Sequence, residues 1–338
     1  MKNLFYLFLI IGVYACDKDL NLPKIIDNPT ITVNGKYIIA PCGDTIIPKG
    51  VNYAVYNWGW DTLENLFPEI AKTGANTVRI VWYANSDGIA YNNLAFLDSA
   101  LSRCIQHKMI PILELHDQTC LDNKDAIIET CNWFTRSDVK PILIKHKKWL
   151  MLNPVNEAGK VLWNNNDEIR FRTMYETIIN NLRYAGLDMP LVLDASDCGQ
   201  HLYIWRNIGE ELLGKDPKNN LIFSAHTYWS SYAQIYGGNV ISILNDAANW
   251  NIPILLGEIA NKQDDNEGNC TLNLDILVTM QVANINNIGY LAWIWTHDNC
   301  YERQMTTNGN FNTLTDYGNT IVNTPSMGIK FAKKPSCW

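Results

Sequence analysis

One recurrence restricts the fold of this chain more than any other feature: short, almost wholly apolar segments alternate with longer amphipathic ones, eight times over. The apolar segments are 48–52, 76–82, 109–115, 149–155, 190–194, 221–226, 253–258 and 289–295. A strand with one wet face would alternate apolar and polar residues, whereas these read as strands covered on both faces, the habit of parallel sheets. The intervening helical patterns fall at 61–73, 94–107, 138–147, 168–185, 201–213, 239–250, 271–286 and 315–322. Eight strands, each followed by a helix, predict a single (β/α)8 TIM barrel of the α/β class. An open doubly wound sheet would want a glycine-rich phosphate turn after the first strand, and GVNYAVYNW supplies none. Ahead of the barrel, residues 30–47 alternate around Asn34-Gly35 and predict an N-terminal β-hairpin.

The first residues stand apart from this pattern. Residues 1–15 carry one lysine and then an apolar run from Leu4 to Val13, too short to span a bilayer and shaped like a secretory signal. Val13-Tyr14-Ala15-Cys16 resembles a bacterial lipobox, which makes Cys16 the expected lipidation site and a lipid anchor the expected membrane attachment. An ordinary cleaved, secreted form is the alternative. Residues 16–29 read as a polar tether, and 30–338 as the catalytic domain.

Eight further cysteines remain, an even set that suggests disulfides outside the cytoplasm. Loop logic pairs Cys120 with Cys131, Cys270 with Cys300 and Cys42 with Cys337, and leaves Cys104 as a buried thiol in a helix. No CxxC pair or His/Cys cluster indicates a structural zinc site.

A net charge of −7 argues against nucleic acid or an anionic lipid surface as the partner. Twelve Trp and sixteen Tyr suit either a large aromatic core or a cleft that stacks flat, weakly charged ligands such as sugar rings. A monomer is expected.

In a TIM barrel the chemistry sits at the C-terminal ends of the strands, where this sequence collects polar residues. Arg79 lies in strand two, His116-Asp117 follow strand three and Asn156-Glu157 strand four. Ser196-Asp197 follow strand five, His226 and Tyr228 strand six, Glu258 ends strand seven, and Trp293 and Trp295 end strand eight. Glu157 and Glu258 interrupt strand ends on opposite sides of the barrel mouth. Glycoside hydrolysis requires two carboxyl groups, an acid for the leaving oxygen and an ionised partner. Arg79 and Tyr228 are placed to keep Glu258 ionised, Asn156 to meet a sugar 2-hydroxyl, and His116 and His226 to orient substrate or tune the acid. Asp117, Asp194 and Asp197 read as supporting acceptors. Trp58, Trp60, Trp82, Trp133 and Trp163 are candidates either for sugar-binding walls or for packing. No metal or organic cofactor is required.

Together TGANTVRIVW, MIPILELHDQT, LNPVNEAGK, AGLDMPLVLDASDCGQ, LIFSAHTYWS, IPILLGEIAN, GYLAWIW and LTDYGNTIV resemble glycoside hydrolase family 5, of the retaining (β/α)8 clan, along nearly all of 30–325. The resemblance implies Glu157 as acid/base and Glu258 as nucleophile, supported by Arg79, His116, Asn156, His226 and Tyr228. It implies Trp295 as the aromatic platform, with Trp293 the competing choice. The runs VRIVW, HDQT, DASDCGQ and HTYWS look most like bacterial endo-β-1,4-mannanases, implying β-mannan or its oligosaccharides as substrate. Ala158 and Trp229-Ser230 depart from the usual pattern. An endo-β-1,4-glucanase or other hemicellulase is the alternative, and a non-catalytic glycan-binding lipoprotein the rival from another class.

Overall fold

Eight parallel strands close on themselves, and their side chains are buried along almost their whole length. The structure is a computed structural model and describes residues 29–55, 65–84, 93–164, 167–229, 238–265 and 267–338. A small antiparallel sheet precedes the barrel: β1 (Thr32–Asn34), β2 (Tyr37–Ile39) and β3 (Thr45–Ile46). The predicted hairpin is thus present, with a third strand added.

The barrel strands are β4 (Lys49–Ala54), β5 (Thr77–Trp82), β6 (Ile110–Leu115), β7 (Met151–Asn153), β8 (Leu191–Asp194), β9 (Leu221–His226), β10 (Ile254–Ile259) and β13 (Gly289–Ala292). Neighbours in space follow chain order, and β13 closes the ring between β10 and β4. The surrounding helices are α1 (Phe67–Ala71), α2 (Leu94–Gln106), α3 (Lys124–Cys131), α4 (Lys140–His146), α5 (Glu168–Tyr184), α6 (Tyr203–Lys215), α7 (Val240–Ala247), α8 (Ile276–Ile285) and α9 (Asp316–Asn323). A two-stranded ribbon, β11 (Lys262–Gln263) with β12 (Leu272–Asn273), follows β10.

Polar side chains set where the helices begin. Asn93, Asn123, Asp167, Asn239 and Thr315 each accept a backbone N–H from the first turn, satisfying a donor that has no partner within its own helix. Helix α3 and the ribbon were not expected. Its eight residues KDAIIETC give α3 a faint amphipathic pattern, which packing against α5 reinforces.

Cys42–Cys337 and Cys270–Cys300 are bridged as the sequence suggested, and Cys104 is a buried thiol. The Cys120–Cys131 expectation is incorrect: Cys120 pairs with Cys198. Helix α3 intervenes and carries Cys131 into the barrel flank, where its buried thiol donates to the Pro154 carbonyl. Cys120 stays at the rim, opposite the loop that follows β8.

Candidate active site

Arg79 organises the centre of the barrel mouth. Lying in β5 with β4 and β6 on either side, it is fully buried, so each of its donors needs an acceptor. Nε donates to Asn153 Oδ1 (2.8 Å). One terminal nitrogen donates to Asn52 Oδ1 (3.1 Å) and Glu258 Oε1 (2.8 Å). The other donates to Asn156 Oδ1 (2.6 Å) and Asp194 Oδ2 (3.2 Å). Burial alone would disfavour the guanidinium, but Glu114, Asp194, Glu258 and Glu157 outweigh it and hold the charge in place.

Glu258 and His226 are partners in register on β10 and β9. Tyr228 donates its hydroxyl to Glu258 Oε2 (2.6 Å), so both oxygens of this carboxylate are engaged. His226 Nδ1 lies 2.6 Å from Glu157 Oε1 and 3.5 Å from Glu258 Oε1, while Nε2 faces Asp194 Oδ1 at 3.5 Å. Burial opposes a charged imidazole, yet Glu258 and Asp194 prevail and push His226 up to about 10. Its ring is held between two glycines. A Cβ on Gly199 would approach His226 Cγ to 2.8 Å, and one on Gly257 would approach Nε2 to 2.9 Å.

Burial first, and the Glu157 carboxylate after it, push Glu258 up against the opposing pull of His226, Arg79 and Tyr228. Asp194 is held well below the usual carboxylate range, because His226 and Arg79 overcome its burial. Oxygens of Glu157 and Glu258 and the His226 nitrogen lie within 4.8 Å of one another. Three such donors are close enough to ligate a metal. An imidazolium has no lone pair to give, however, and Arg79 brings a second cation to the same point. The other two donor sets, Cys120-Glu157-Cys198 and Cys270-Cys300-Glu302, have their sulfurs in disulfides.

A cleft of about 320 Å³ opens over this centre, and its lining includes His116, Asn156, Glu157, Tyr228, Glu258 and Trp293. His116 is stacked near Trp293, ring centroids 5.8 Å apart, and its Nδ1 meets Glu114 at 3.0 Å. Asn156 bridges Arg79 and Thr119, donating Nδ2 to Thr119 Oγ1 at 3.0 Å. A second cavity of about 280 Å³ lies between the β1–β3 sheet and the first residues of β10 and β13. Its lining carries neither carboxylate nor histidine.

Both candidate platforms are largely buried, but only Trp293 lines the cleft. Trp293 borders the cleft and donates its indole N–H to Asp298 Oδ2 (2.6 Å). Trp295, the preferred choice from sequence, is fully buried and donates to the Gly309 carbonyl. That choice is therefore corrected: regular strand geometry ends at Ala292, so period-two alternation does not extend over Trp293 and Trp295.

Trp82 and Trp133 pack together in the core, whereas Trp163 is 53% exposed. Trp58, Trp60 and Cys16 lie outside the described residues. Asp117 accepts the Ala84 N–H, and Asp197 accepts N–H groups of residues 161–163, so both are supports as expected. Ala158 is fully buried and does not line the cleft.

Reading by strand ends missed Asn52, Glu114 and Asn153. Glu114 and Asn153 are each the single polar residue of an apolar strand, a signal that was present, whereas Asn52 shares its strand with Lys49. It also missed Arg303, which borders the cleft and pairs with Asp298 (2.9 Å) and Asp264 (3.0 Å). No local pattern announces that cluster, because three separate loop positions build it.

Comparison with known proteins gives a consistent result. Residues 42–299 match the family described as cellulase (glycosyl hydrolase family 5). A mannan endo-1,4-beta-mannosidase of Salipaludibacillus agaradhaerens is 26% identical over 309 residues, covering 90% of this chain and 94% of the relative. A protein of the same name from Cellvibrio japonicus is 28% identical, covering 86% of this chain and 65% of the relative. Among solved structures, the mannotriose complex of the β-mannanase of Thermomonospora fusca superposes with a TM-score of 0.75 at 25% identity, over 90% of this chain and 98% of that one.

Proposed function

The chain belongs to glycosyl hydrolase family 5, and from that premise we propose that it is a retaining endo-β-1,4-mannanase with Glu258 as nucleophile and Glu157 as acid/base. The observation that carries the mechanism is the spacing of the two carboxylates. One oxygen of each comes within 4.8 Å of the other, in keeping with the roughly 5–5.5 Å carboxyl separation of retaining enzymes. Glu258 attacks the anomeric carbon while Glu157 protonates the departing oxygen. Glu157 then takes a proton from water as that water releases the sugar from Glu258.

The division of labour follows from the partners. Arg79 and Tyr228 donate to Glu258 in its ionised form, and the buried phenol is held as a proton donor, burial and then Glu258 pushing it well above its usual range. His226 spans the two carboxylates as a cation, so the site carries their charge through both steps. Trp293 offers its face to the sugar at the cleaved bond, and Asn156 its amide to a hydroxyl at the rim.

β-Mannan is the substrate favoured by the relatives' names. Export, a lipid anchor on Cys16 and action as a monomer complete the reading. The first two are supported by the signal-like residues 1–15, the lipobox-like Val13–Cys16 and three disulfides of the kind that persist in oxidising compartments.

The test is hydrolysis of β-mannan, carboxymethyl cellulose and xylan by the enzyme and by Glu258→Gln. Mannan is expected to be cleaved fastest, with a loss of about 10⁴-fold or more in the variant. Faster cleavage of cellulose would move the substrate to glucan. Equal activity of the two proteins would remove the nucleophile assignment, and retained binding without cleavage would leave a glycan-capture protein.

A further inference from the structure

Four non-glycine residues at the rim hold left-handed backbone: Cys120 (φ 59°), Glu157 (φ 48°), Asp197 (φ 58°) and Cys198 (φ 54°). A Cβ makes that region unfavourable, so such residues persist only where their surroundings over-determine them. Here the surroundings are one another. Cys120 N–H donates to the Glu157 carbonyl (3.3 Å), Gly159 N–H to the Leu121 carbonyl (2.7 Å), and Asp197 N–H to the Gly159 carbonyl (2.9 Å). The turn that carries Glu157 is thereby clamped between the loop after β6 and the loop after β8. The second loop also fixes His226, whose N–H donates to the Gly199 carbonyl (2.8 Å).

The Cys120–Cys198 disulfide joins these two clamping loops covalently, across 78 residues of sequence. Both cysteines line the cleft on the Glu157 side, and Cys120 Sγ lies 3.5 Å from Glu157 Oε2. A disulfide sulfur carries no hydrogen. It therefore fills the space against Oε2 without donating to it, while Oε1 faces His226. Among the described residues, Cys120 Sγ is the only group at bonding distance from Oε2. That oxygen is left free to carry a transferable proton.

We infer that Cys120 and Cys198 form a positioning pair for the acid/base: their disulfide locks the rim loops around the Glu157 turn and holds Oε2 toward the glycosidic oxygen. This rests on the proposed role of Glu157. The pair acts through that carboxyl group and makes no bond to the reacting atoms.

Leaving-group chemistry separates this role from general support of the fold. A sugar hydroxyl needs a proton to depart, whereas dinitrophenolate leaves without one, so in kcat/KM, which reports only on formation of the glycosyl-enzyme, a misplaced acid slows only the first. The experiment uses the full chain and compares Cys120→Ala/Cys198→Ala with wild type and Glu157→Ala. The substrates are an oligosaccharide of the β-glycan it cleaves best and the 2,4-dinitrophenyl β-glycoside of the same sugar. Glu157→Ala should lose about 10²–10⁴-fold in kcat/KM on the oligosaccharide and little on the aryl glycoside. The double variant should lose roughly 10–100-fold on the oligosaccharide and less than about threefold on the aryl glycoside.

Cys42→Ala/Cys337→Ala, at the termini and away from the cleft, should keep the wild-type ratio. If the cleft double variant does not fold, the ratio is read on folded wild type during dithiothreitol titration. Alkylation and mass spectrometry then identify which bridge has opened. Equal loss on both substrates, or loss on neither, overturns the inference. Absence of the pattern in Glu157→Ala overturns the acid/base reading and the inference together, and its presence there alone overturns only the inference.

Discussion

His226 places one ring nitrogen 2.6 Å from Glu157 and, as the register partner of Glu258, 3.5 Å from that second carboxylate. Two carboxylates this close repel when both are ionised, and a cation between them lowers that cost. The imidazole is pushed from its usual 6.5 to about 10, so it is charged at neutral pH. A histidine whose value is raised on folding contributes stability that is fully present below the unfolded value and lost as pH rises through the folded one. The His226 contribution should accordingly be complete below about pH 6.5 and gone above about pH 10. Urea denaturation of wild type and His226→Asn should differ most near pH 6, with the gap narrowing toward pH 10. A gap independent of pH would show that His226 is not held as a cation.

Tyr228→Phe removes the 2.6 Å hydroxyl donation to Glu258 and little else. Because that bond favours the ionised carboxylate, its loss raises a group that burial already pushes upward. The nucleophile works ionised, so the acidic limb of the kcat/KM profile should move to higher pH and the plateau should fall roughly 10-fold or more. An unmoved limb would separate Tyr228 from the charge state of Glu258.

The tryptophans that follow β13 give different expectations for activity. Trp293→Ala removes an aromatic face that borders the cleft, so kcat/KM of the folded fraction should drop by more than about 10-fold, alongside a loss of stability because the ring is also buried and bonded to Asp298. Trp295→Ala removes a fully buried side chain and its bond to the Gly309 carbonyl. That should cost about 3–5 kcal/mol in chemical denaturation, with kcat of the folded fraction far less affected. The reverse outcome would restore Trp295 as the platform.

The β–α alternation was legible because each barrel strand is apolar on both faces, a pattern little else in a soluble protein produces. Glu157, Glu258 and Arg79 were legible for the complementary reason: a charged residue in or just after such a strand stands out. Choosing between Trp293 and Trp295 was beyond the sequence, since the backbone leaves regular strand geometry just before them. The Cys120–Cys198 pairing was hidden likewise, because it depends on how loops after β6 and β8 meet, and α3 was too short to announce itself. Arg303 with Asp264 and Asp298 belongs to the same class of feature, made by loops converging rather than by local order.

Arg79 supplies the severest test of the charge balance. Its guanidinium makes five hydrogen bonds at full burial, two of them to the carboxylates Glu258 and Asp194. A lysine there keeps the charge but has three donors instead of five and lacks the planar fork, so at least two of Asn52, Asn153, Asn156, Asp194 and Glu258 lose a partner. Leaving a buried carboxylate without its ion pair costs about 3–5 kcal/mol, which is the destabilisation expected for Arg79→Ala. Arg79→Lys should fall between Arg79→Ala and wild type. In both variants Glu258 loses a group that favours its ionised form, so the acidic limb of the rate profile should move to higher pH, further for alanine than for lysine. Urea denaturation and kcat/KM across pH check the two halves separately. Stability loss with an unmoved acidic limb would mean that Arg79 only holds the barrel mouth together and does not set the charge of the nucleophile.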